Sequence, residues 1–295
     1  RRRHTRLQGD WSSDVCSSDL KKLLLMVIFT TMAFSQYNAD GEKNTVLTWS
    51  LYKWTPMSEV EDGSNADRAA AVAEYNKKRN QASKLLKSSM FLTHYWTGAV
   101  EDVHRLNEFK DMNEATIYSG GGENLNPKAW ADADKRKAAV TANGKYFDSY
   151  HEDLHIFENH VALEKKRTGG YGDWTYVAVT VSYLKPLGAV EGGSREERYK
   201  LMKKFQKEVI GKNPKILSQR VLTHLWSGKI ENGLWPVVTV SEYNSMEDVD
   251  NAGDDNPALW QKAFSEAEGA AYVKYWDNDR HEDLGLFMNF TPANK

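Results

Sequence analysis

Short runs of β-branched and aromatic residues alternate along the chain with longer runs in which apolar residues recur every three or four positions. Residues 46–54 (VLTWSLYKW) are typical of a strand, whereas the apolar residues within 66–87 have helical spacing. These patterns predict strands at 46–54, 90–96, 103–109 and 151–158 and helices at 66–87 and 128–143 in the first half of the chain. In the second half they predict strands at 176–184, 221–226, 235–243 and 281–289 and helices at 195–209 and 258–271.

The two halves of the chain carry the same motifs. Residues 92–98 (LTHYWTG) recur as 222–228 (LTHLWSG), and residues 151–154 (HEDL) recur as 281–284. An Asn-Pro pair followed by Trp130 recurs as an Asn-Pro pair followed by Trp260, and we predict packing roles for both tryptophans. The offset is 130 residues in each case. Separate matches at one offset predict an internal duplication.

Each half has the predicted order β-α-β-β-α-β, which is the ferredoxin-like motif. Such a sheet covers one face with its helices and needs a partner for the other face, and a second copy provides it. The chain thereby resembles the dimeric α+β barrel superfamily in a tandem-duplicated, single-chain form. The resemblance implies an α+β fold in which two antiparallel sheets face each other as a pseudo-two-fold barrel. The superfamily includes cofactor-free monooxygenases, muconolactone-isomerase-like enzymes, haem-binding peroxidases and chlorite dismutases, and stress-responsive barrel proteins.

The N-terminal part of the chain does not share these patterns. Residues 1–20 resemble the translation of a sequencing-adapter oligonucleotide, and we interpret them as an artefact. Residues 21–35 combine two lysines with a short apolar run, which predicts a signal peptide and export to the periplasm or the extracellular space. The predicted domains are then a first repeat at 36–163, a linker at 164–173 and a second repeat at 174–295.

Charge and cysteine content exclude several classes of partner. Residues 1–35 hold six of the 39 Lys and Arg and three of the 41 Asp and Glu, which leaves 33 against 38 and a formal charge of −5. We therefore expect no nucleic-acid partner, because such proteins present a basic surface. The apolar run is too short for a membrane span, and we expect no stable membrane insertion after signal cleavage. The single cysteine, Cys16, falls in the predicted artefact, so residues 36–295 have no disulfide and no thiolate metal ligand.

Alternation along the first strand separates two faces of the sheet. The face with Leu47 and Trp49 is apolar, and we predict that it meets the helices. The face with Ser50 and Tyr52 is then predicted to point into the barrel, where small and polar side chains favour a ligand cavity. The alternative is that large side chains from other strands fill this space.

Barrel closure predicts where the repeated histidines meet. A ferredoxin-like sheet has the strand order 4-1-3-2, so closure pairs the second strand of one half with the fourth strand of the other. The predicted neighbours at the two seams are His94 with His281 and Asp283, and His224 with His151 and Asp153. Such a set can bind a divalent metal, act as a general base or acid, or form a polar network that stabilises the seam.

Trp96 and Trp226 lie beside the seam histidines and are candidates, with Tyr52, to contact an apolar ligand. We therefore expect an exported, monomeric or weakly homo-oligomeric barrel that binds a small organic ligand, and the resemblance implies a stress-related role. The alternative is a cofactor-independent enzyme, similar to monooxygenases or isomerases, with His94 or His224 as general base. A third hypothesis is metal or haem binding, but no cofactor is predicted because no histidine lies in an axial-ligand motif.

Overall fold

The computed structural model of the protein describes residues 43–167, 172–226 and 233–295. The predicted artefact and signal peptide lie outside these residues. All the strands predicted from the sequence are present. The strands of the first repeat are β1 (Thr45–Trp54), β2 (Leu86–His94), β3 (Asp102–Phe109) and β4 (Phe147–Asn159). The strands of the second repeat are β5 (Trp174–Leu184), β6 (Ile216–His224), β7 (Trp235–Tyr243) and β8 (Trp276–Phe290).

The helices cover the outside of these strands. In the first repeat they are α1 (Asn65–Ala82), α2 (Met112–Ser119), α3 (Leu125–Ala129) and α4 (Ala133–Gly144). In the second repeat they are α5 (Arg195–Phe205), which continues as a π-helical turn (Gln206–Ile210), α6 (Met246–Asn251), α7 (Asn256–Ala263) and α8 (Glu266–Val273). None of the helices in the described ranges is both long enough and apolar enough to span a bilayer.

Three predicted helices were wrong in extent. The helix predicted at 258–271 is two helices, because the extended backbone of Phe264 ends the first of them. The helix predicted at 66–87 ends at Ala82, because Ser83 is extended and Leu86 already pairs with Phe109 in the sheet. The helix predicted at 128–143 is two helices, because the extended backbone of Trp130 separates them. The Trp130 ring stacks on Tyr75 of α1 at 5.4 Å between centroids, which confirms its packing role.

The sheet is a closed antiparallel barrel with the strand order β1-β3-β2-β8-β5-β7-β6-β4. The second strand of each repeat pairs with the fourth strand of the other, so the predicted closure is confirmed. The architecture is that of a dimeric α+β barrel in tandem, single-chain form. Because β1 and β5 are four antiparallel pairings apart, they run in the same direction, and equivalent residues of the two repeats lie at the same end of the barrel.

The predicted assignment of the strand faces was wrong. Leu47 and Trp49 belong to one buried cluster with Val177 and Val179 of the other repeat, so they face the barrel interior. The Trp49 ring lies 6.1 Å from the ring of Phe287 on β8, a strand that does not neighbour β1. The interior is shared by both sheets and is the most enclosed part of the molecule, so the continuous apolar face lies there.

The small and polar face instead lies beneath the helices. Tyr52, predicted to face a ligand cavity, packs against the cluster that contains Val72 of α1. Its neighbour Ser50 is on the same outer face and donates a hydrogen bond to Asp153 at 2.8 Å. The space inside the barrel is therefore filled by large side chains, which was the alternative.

A repeated polar network closes the end of the barrel where β1 begins, which we call the glutamate end. Glu108 is buried and accepts hydrogen bonds from Thr45 and Ser88 at 2.8 and 2.7 Å. Glu242 is buried in the second repeat and accepts them from its own strand neighbours, Thr175 and Ser218, at 2.6 and 2.9 Å. Because both buried carboxylates accept hydrogen bonds from neighbouring strands, we interpret them as structural groups of the barrel and not as part of an open site.

Candidate functional site

The histidines of the LTH motifs do not meet the HED motifs. His94, at the end of β2, pairs with Phe287, and His224 pairs with Phe157. His281 lies six residues further along β8, or roughly 20 Å at the rise of an extended strand. The predicted proximity of His94 to His281, and of His224 to His151, was therefore wrong, although the strand pairing was right. The reason is that β2 overlaps only the last residues of β8.

The HED motifs form separate surface pairs. His151 Nε2 lies 3.2 Å from an oxygen of Asp153, and His281 Nε2 lies 3.0 Å from Asp283 Oδ1. The ring of His151 also contacts the ring of Tyr52, with centroids 4.9 Å apart. These two histidines and two aspartates are exposed, and no cluster of three or more metal-ligating residues occurs among the described residues.

Trp96 and Trp226 lie at the surface just beyond β2 and β6. They are 73% and 74% exposed, respectively, and so do not enclose a ligand inside the barrel. Each closes a seam through its backbone, where the N–H groups bond to Leu286 and Ile156 at 3.3 and 3.2 Å.

His94 does line a pocket, but on the outer side of the β2–β8 seam, between the sheet and α1. This seam pocket has a volume of about 270 Å3. Its lining residues are Asn65, Arg68, Ala69 and Val72 of α1, Trp54, Phe91, Thr93 and His94 of β1 and β2, Val100, and Trp174 and Phe290 of the second repeat. Four aromatic rings, a guanidinium and an imidazole therefore surround one concave space.

Arg68 is the cationic group of the seam pocket. Its guanidinium carbon lies 4.6 Å over the centre of the Trp54 ring, and one amino group donates a hydrogen bond to Asn65 Oδ1 at 3.0 Å. Within the described ranges, no carboxylate lies at ion-pair distance from Arg68. Burial lowers the pKa of the guanidinium, but arginine stays protonated at neutral pH.

The imidazole of His94 is oriented by the loop that follows β2. Its Nδ1 lies 3.0 Å from the carbonyl oxygen of Thr97. Because a carbonyl only accepts, Nδ1 carries the hydrogen, and in the neutral ring Nε2 carries the lone pair. His94 is therefore arranged to accept a hydrogen bond or a proton through Nε2.

Bulkier side chains occupy the equivalent positions of the second repeat. Tyr199 and Met202 stand where the first repeat has Ala69 and Val72, and both are only 7% exposed. Two small α1 side chains thus line the pocket at positions where α5 carries larger, buried side chains.

The second seam carries a hydrogen-bonded histidine instead of aromatic walls. His160, at the position equivalent to Phe290, places Nε2 2.8 Å from Thr223 Oγ1 and Nδ1 3.4 Å from the Asn44 side chain. Burial lowers the pKa of His160 to about 4, so this imidazole is neutral at pH 7. The two seams therefore differ in chemistry.

Two interior histidines had no counterpart in the duplication and no predicted role. The Trp49 indole N–H donates to His104 Nδ1 at 3.0 Å, and the His155 ring lies 5.6 Å from the Trp49 ring. Burial lowers the pKa of both imidazoles. Gly285 replaces His155 in the second repeat, where a Cβ would lie 2.5 Å from the Phe287 ring. These residues pack the barrel core.

The opposite end of the barrel carries two clusters of a cation, a tyrosine and a glutamate. In the second repeat Tyr183 donates to Glu282 at 2.6 Å, and the Arg280 guanidinium lies 4.1 Å over the Tyr183 ring. In the first repeat Tyr150 donates to Glu152, and Lys53 Nζ lies 5.0 Å over the Tyr150 ring. The cation and the tyrosine have exchanged strands between the repeats, because 53 corresponds to 183 and 150 to 280. The same contacts thus form from swapped positions.

No protein-family model matches the chain, and no curated protein sequence matches it. Among solved structures, an anthrone oxidase-like protein is 13% identical with a TM-score of 0.42, over 86% of this chain and 94% of that chain. A candidate monooxygenase from Fusobacterium nucleatum subsp. nucleatum is 10% identical with a TM-score of 0.45, over 84% and 92% of the respective chains. A mutant chlorite dismutase from Candidatus Nitrospira defluvii, in complex with cyanide, is 11% identical with a TM-score of 0.42, over 84% and 91%. Likenesses this distant carry no argument on activity, so the fold rests on the strand order and the function on the site.

Proposed function

We propose that the chain binds a small organic ligand in the seam pocket and not in the interior of the barrel. The interior is filled by the side chains around Trp49, whereas the seam pocket offers about 270 Å3. A mostly apolar space with a few convergent polar groups is typical of small-molecule sites, and this volume suits a ligand of about one or two rings. We also propose, from residues 21–35 alone, that the protein is exported.

The observation that carries this proposal is the difference between α1 and α5. Ala69 and Val72 line the pocket, whereas the equivalent positions on α5 carry the larger, buried side chains of Tyr199 and Met202. A core that only had to be packed would gain stability from larger apolar side chains at both places. The small residues therefore support a role for the space itself.

Tryptophan fluorescence tests the proposal directly, because Trp54 and Trp174 line the pocket. The protein is titrated with a panel of one-ring and two-ring compounds, together with the variant Ala69→Tyr, which introduces the side chain of the second repeat. Ala70→Tyr is the matched control, because Ala70 is exposed on the same helix. We expect saturable binding to the wild type and to Ala70→Tyr and at least about tenfold weaker binding to Ala69→Tyr. Equal affinity for all three proteins would place the ligand elsewhere.

A second candidate function, proton abstraction from the bound ligand, is supported by the orientation of His94. The Nδ1 contact with Thr97 leaves Nε2 available as a base beside the cationic Arg68. The test is deuterium exchange into a bound ligand with an acidic C–H, followed by NMR in D2O. His94→Gln should abolish enzyme-dependent exchange while the ligand still binds, and His224→Gln, its counterpart, should not. Exchange that survives in His94→Gln would exclude this role.

A further inference from the structure

We infer that the seam pocket selects a ligand with an aromatic body and a carboxylate, and that Arg68 binds the carboxylate. This inference rests on the proposed function and specifies the ligand class. It is carried by the juxtaposition, in one concave space, of four aromatic rings and a guanidinium that has no carboxylate partner among the described residues.

Arg68 is held ready for an anion. The guanidinium lies over the Trp54 ring, and the bond to Asn65 uses one of its amino groups. A half-buried cation without an ionic partner is costly, and a bidentate carboxylate is the partner that matches its geometry. The nearest acid on the same helix turn, Asp67, is engaged by Ser64, whose hydroxyl donates to it at 2.6 Å. The cation therefore remains for a ligand.

Rings from both repeats define the body of the ligand. Trp174 and Phe290 of the second repeat lie 4.6 Å apart between ring centroids, at an angle of 36°. Trp54 and Phe91 of the first repeat, 5.7 Å apart, form another wall. Planar rings prefer offset or edge contacts of this kind, so an aromatic ligand gains more here than an aliphatic one of the same volume.

The equivalent positions of the second repeat carry different side chains. The counterpart of Trp54 is Leu184, and the counterpart of Arg68 is Arg198. Arg198 is also only 5% exposed, within the packed α5 interface. The stacked, accessible guanidinium occurs where the small α1 side chains leave space.

Calorimetric titration with 2-naphthoate and 2-naphthamide separates recognition of the carboxylate from binding of the aromatic rings, because the two compounds differ only in the charged group. We expect the wild type to prefer the carboxylate and Arg68→Gln to lose about tenfold or more of its affinity for naphthoate but little for naphthamide. Arg68→Lys should lose part of the preference, because a lysine keeps the charge but not the planar donors. Arg195→Gln, in the first turn of α5, is the control for a general loss of positive charge.

The outcomes distinguish the inference from the function on which it rests. If both compounds bind equally and Arg68→Gln leaves their ratio unchanged, the carboxylate assignment is overturned and the pocket remains a binding site. If neither compound binds the wild type, the aromatic-carboxylate assignment is overturned, and the wider fluorescence panel alone decides the proposed function. If Arg68→Gln does not fold, the affinities of the wild type and of Arg68→Lys for naphthoate and naphthamide decide. Equal affinity of the wild type for the two compounds would contradict the inference.

Discussion

Protonation of His160 should make the second seam sensitive to acid. Its imidazole is 3% exposed, it is hydrogen-bonded to Thr223 and Asn44, and burial lowers its pKa to about 4. In the unfolded chain a histidine titrates near pH 6.5. Between these values the unfolded chain binds more protons than the folded chain, so the free energy of unfolding decreases as the pH falls. The stabilisation is complete above about pH 6.5, and the loss ends below about pH 4.

The size of this effect follows from the two pKa values. A difference of about 2.5 units corresponds to a maximum loss of about 3 kcal/mol, of which about 2 kcal/mol is lost by pH 5. Glu158, whose Oε2 lies 4.0 Å from His160, acts in the opposite direction because burial raises its pKa. The contribution of His160 is therefore best measured as a difference between the wild type and His160→Gln.

Urea unfolding at pH 7.5 and at pH 5 measures that difference. We expect the wild type to exceed His160→Gln in stability at pH 7.5 and this advantage to shrink by about 2 kcal/mol at pH 5. His281→Gln is the control for the loss of a histidine, because His281 is exposed. An advantage that is the same at both pH values, within about 0.5 kcal/mol, would refute the reasoning.

Three further predictions concern the core, the swapped clusters and cofactors. Gly285→Ala should lower the free energy of unfolding by about 1–3 kcal/mol, because its Cβ would collide with the Phe287 ring. Gly253→Ala is the control and should leave the free energy of unfolding unchanged, because a Cβ there would have no neighbour within 4 Å. Equal urea midpoints for the two variants would contradict the prediction. Tyr183→Lys and Arg280→Tyr should each destabilise the barrel. The double variant reproduces the residues of the first repeat, and a double-mutant cycle should show a coupling energy of about 1 kcal/mol between the two positions. Strictly additive effects would show that the two exchanged residues do not stabilise each other. Elemental analysis of the purified protein should reveal no stoichiometric divalent metal, because the described residues contain no group of three or more His, Cys, Asp or Glu that could hold one. Stoichiometric metal would support the third hypothesis.

The fold could be predicted from the sequence because the two halves of the duplication give independent evidence for the same order of elements. Motifs repeated at one offset, and the order of elements in each half, left one way to close the sheets, and the barrel confirms it. The register could not be predicted in the same way. Each seam comprises only three residue pairs, and bulges between Trp49 and Ser50 and between Val179 and Thr180 shift the long strands.

The seam pocket was missed for a different reason. Sequence reasoning followed what the repeats share, and His94 was found in that way. The pocket is lined by residues that the repeats do not share, among them Ala69 and Val72, whose counterparts are Tyr199 and Met202. Small residues on one of two equivalent helix faces were the available signal. Only the structure shows that Arg68 stacks on Trp54 beside them.

A crystal structure with the strongest ligand from the fluorescence panel would test the central claim most directly. We predict electron density for the ligand in the seam pocket, between the Trp54 and Trp174 side chains and within contact of Arg68. Density inside the barrel beside Trp49, or at the exposed HED pairs with an empty seam pocket, would contradict the account.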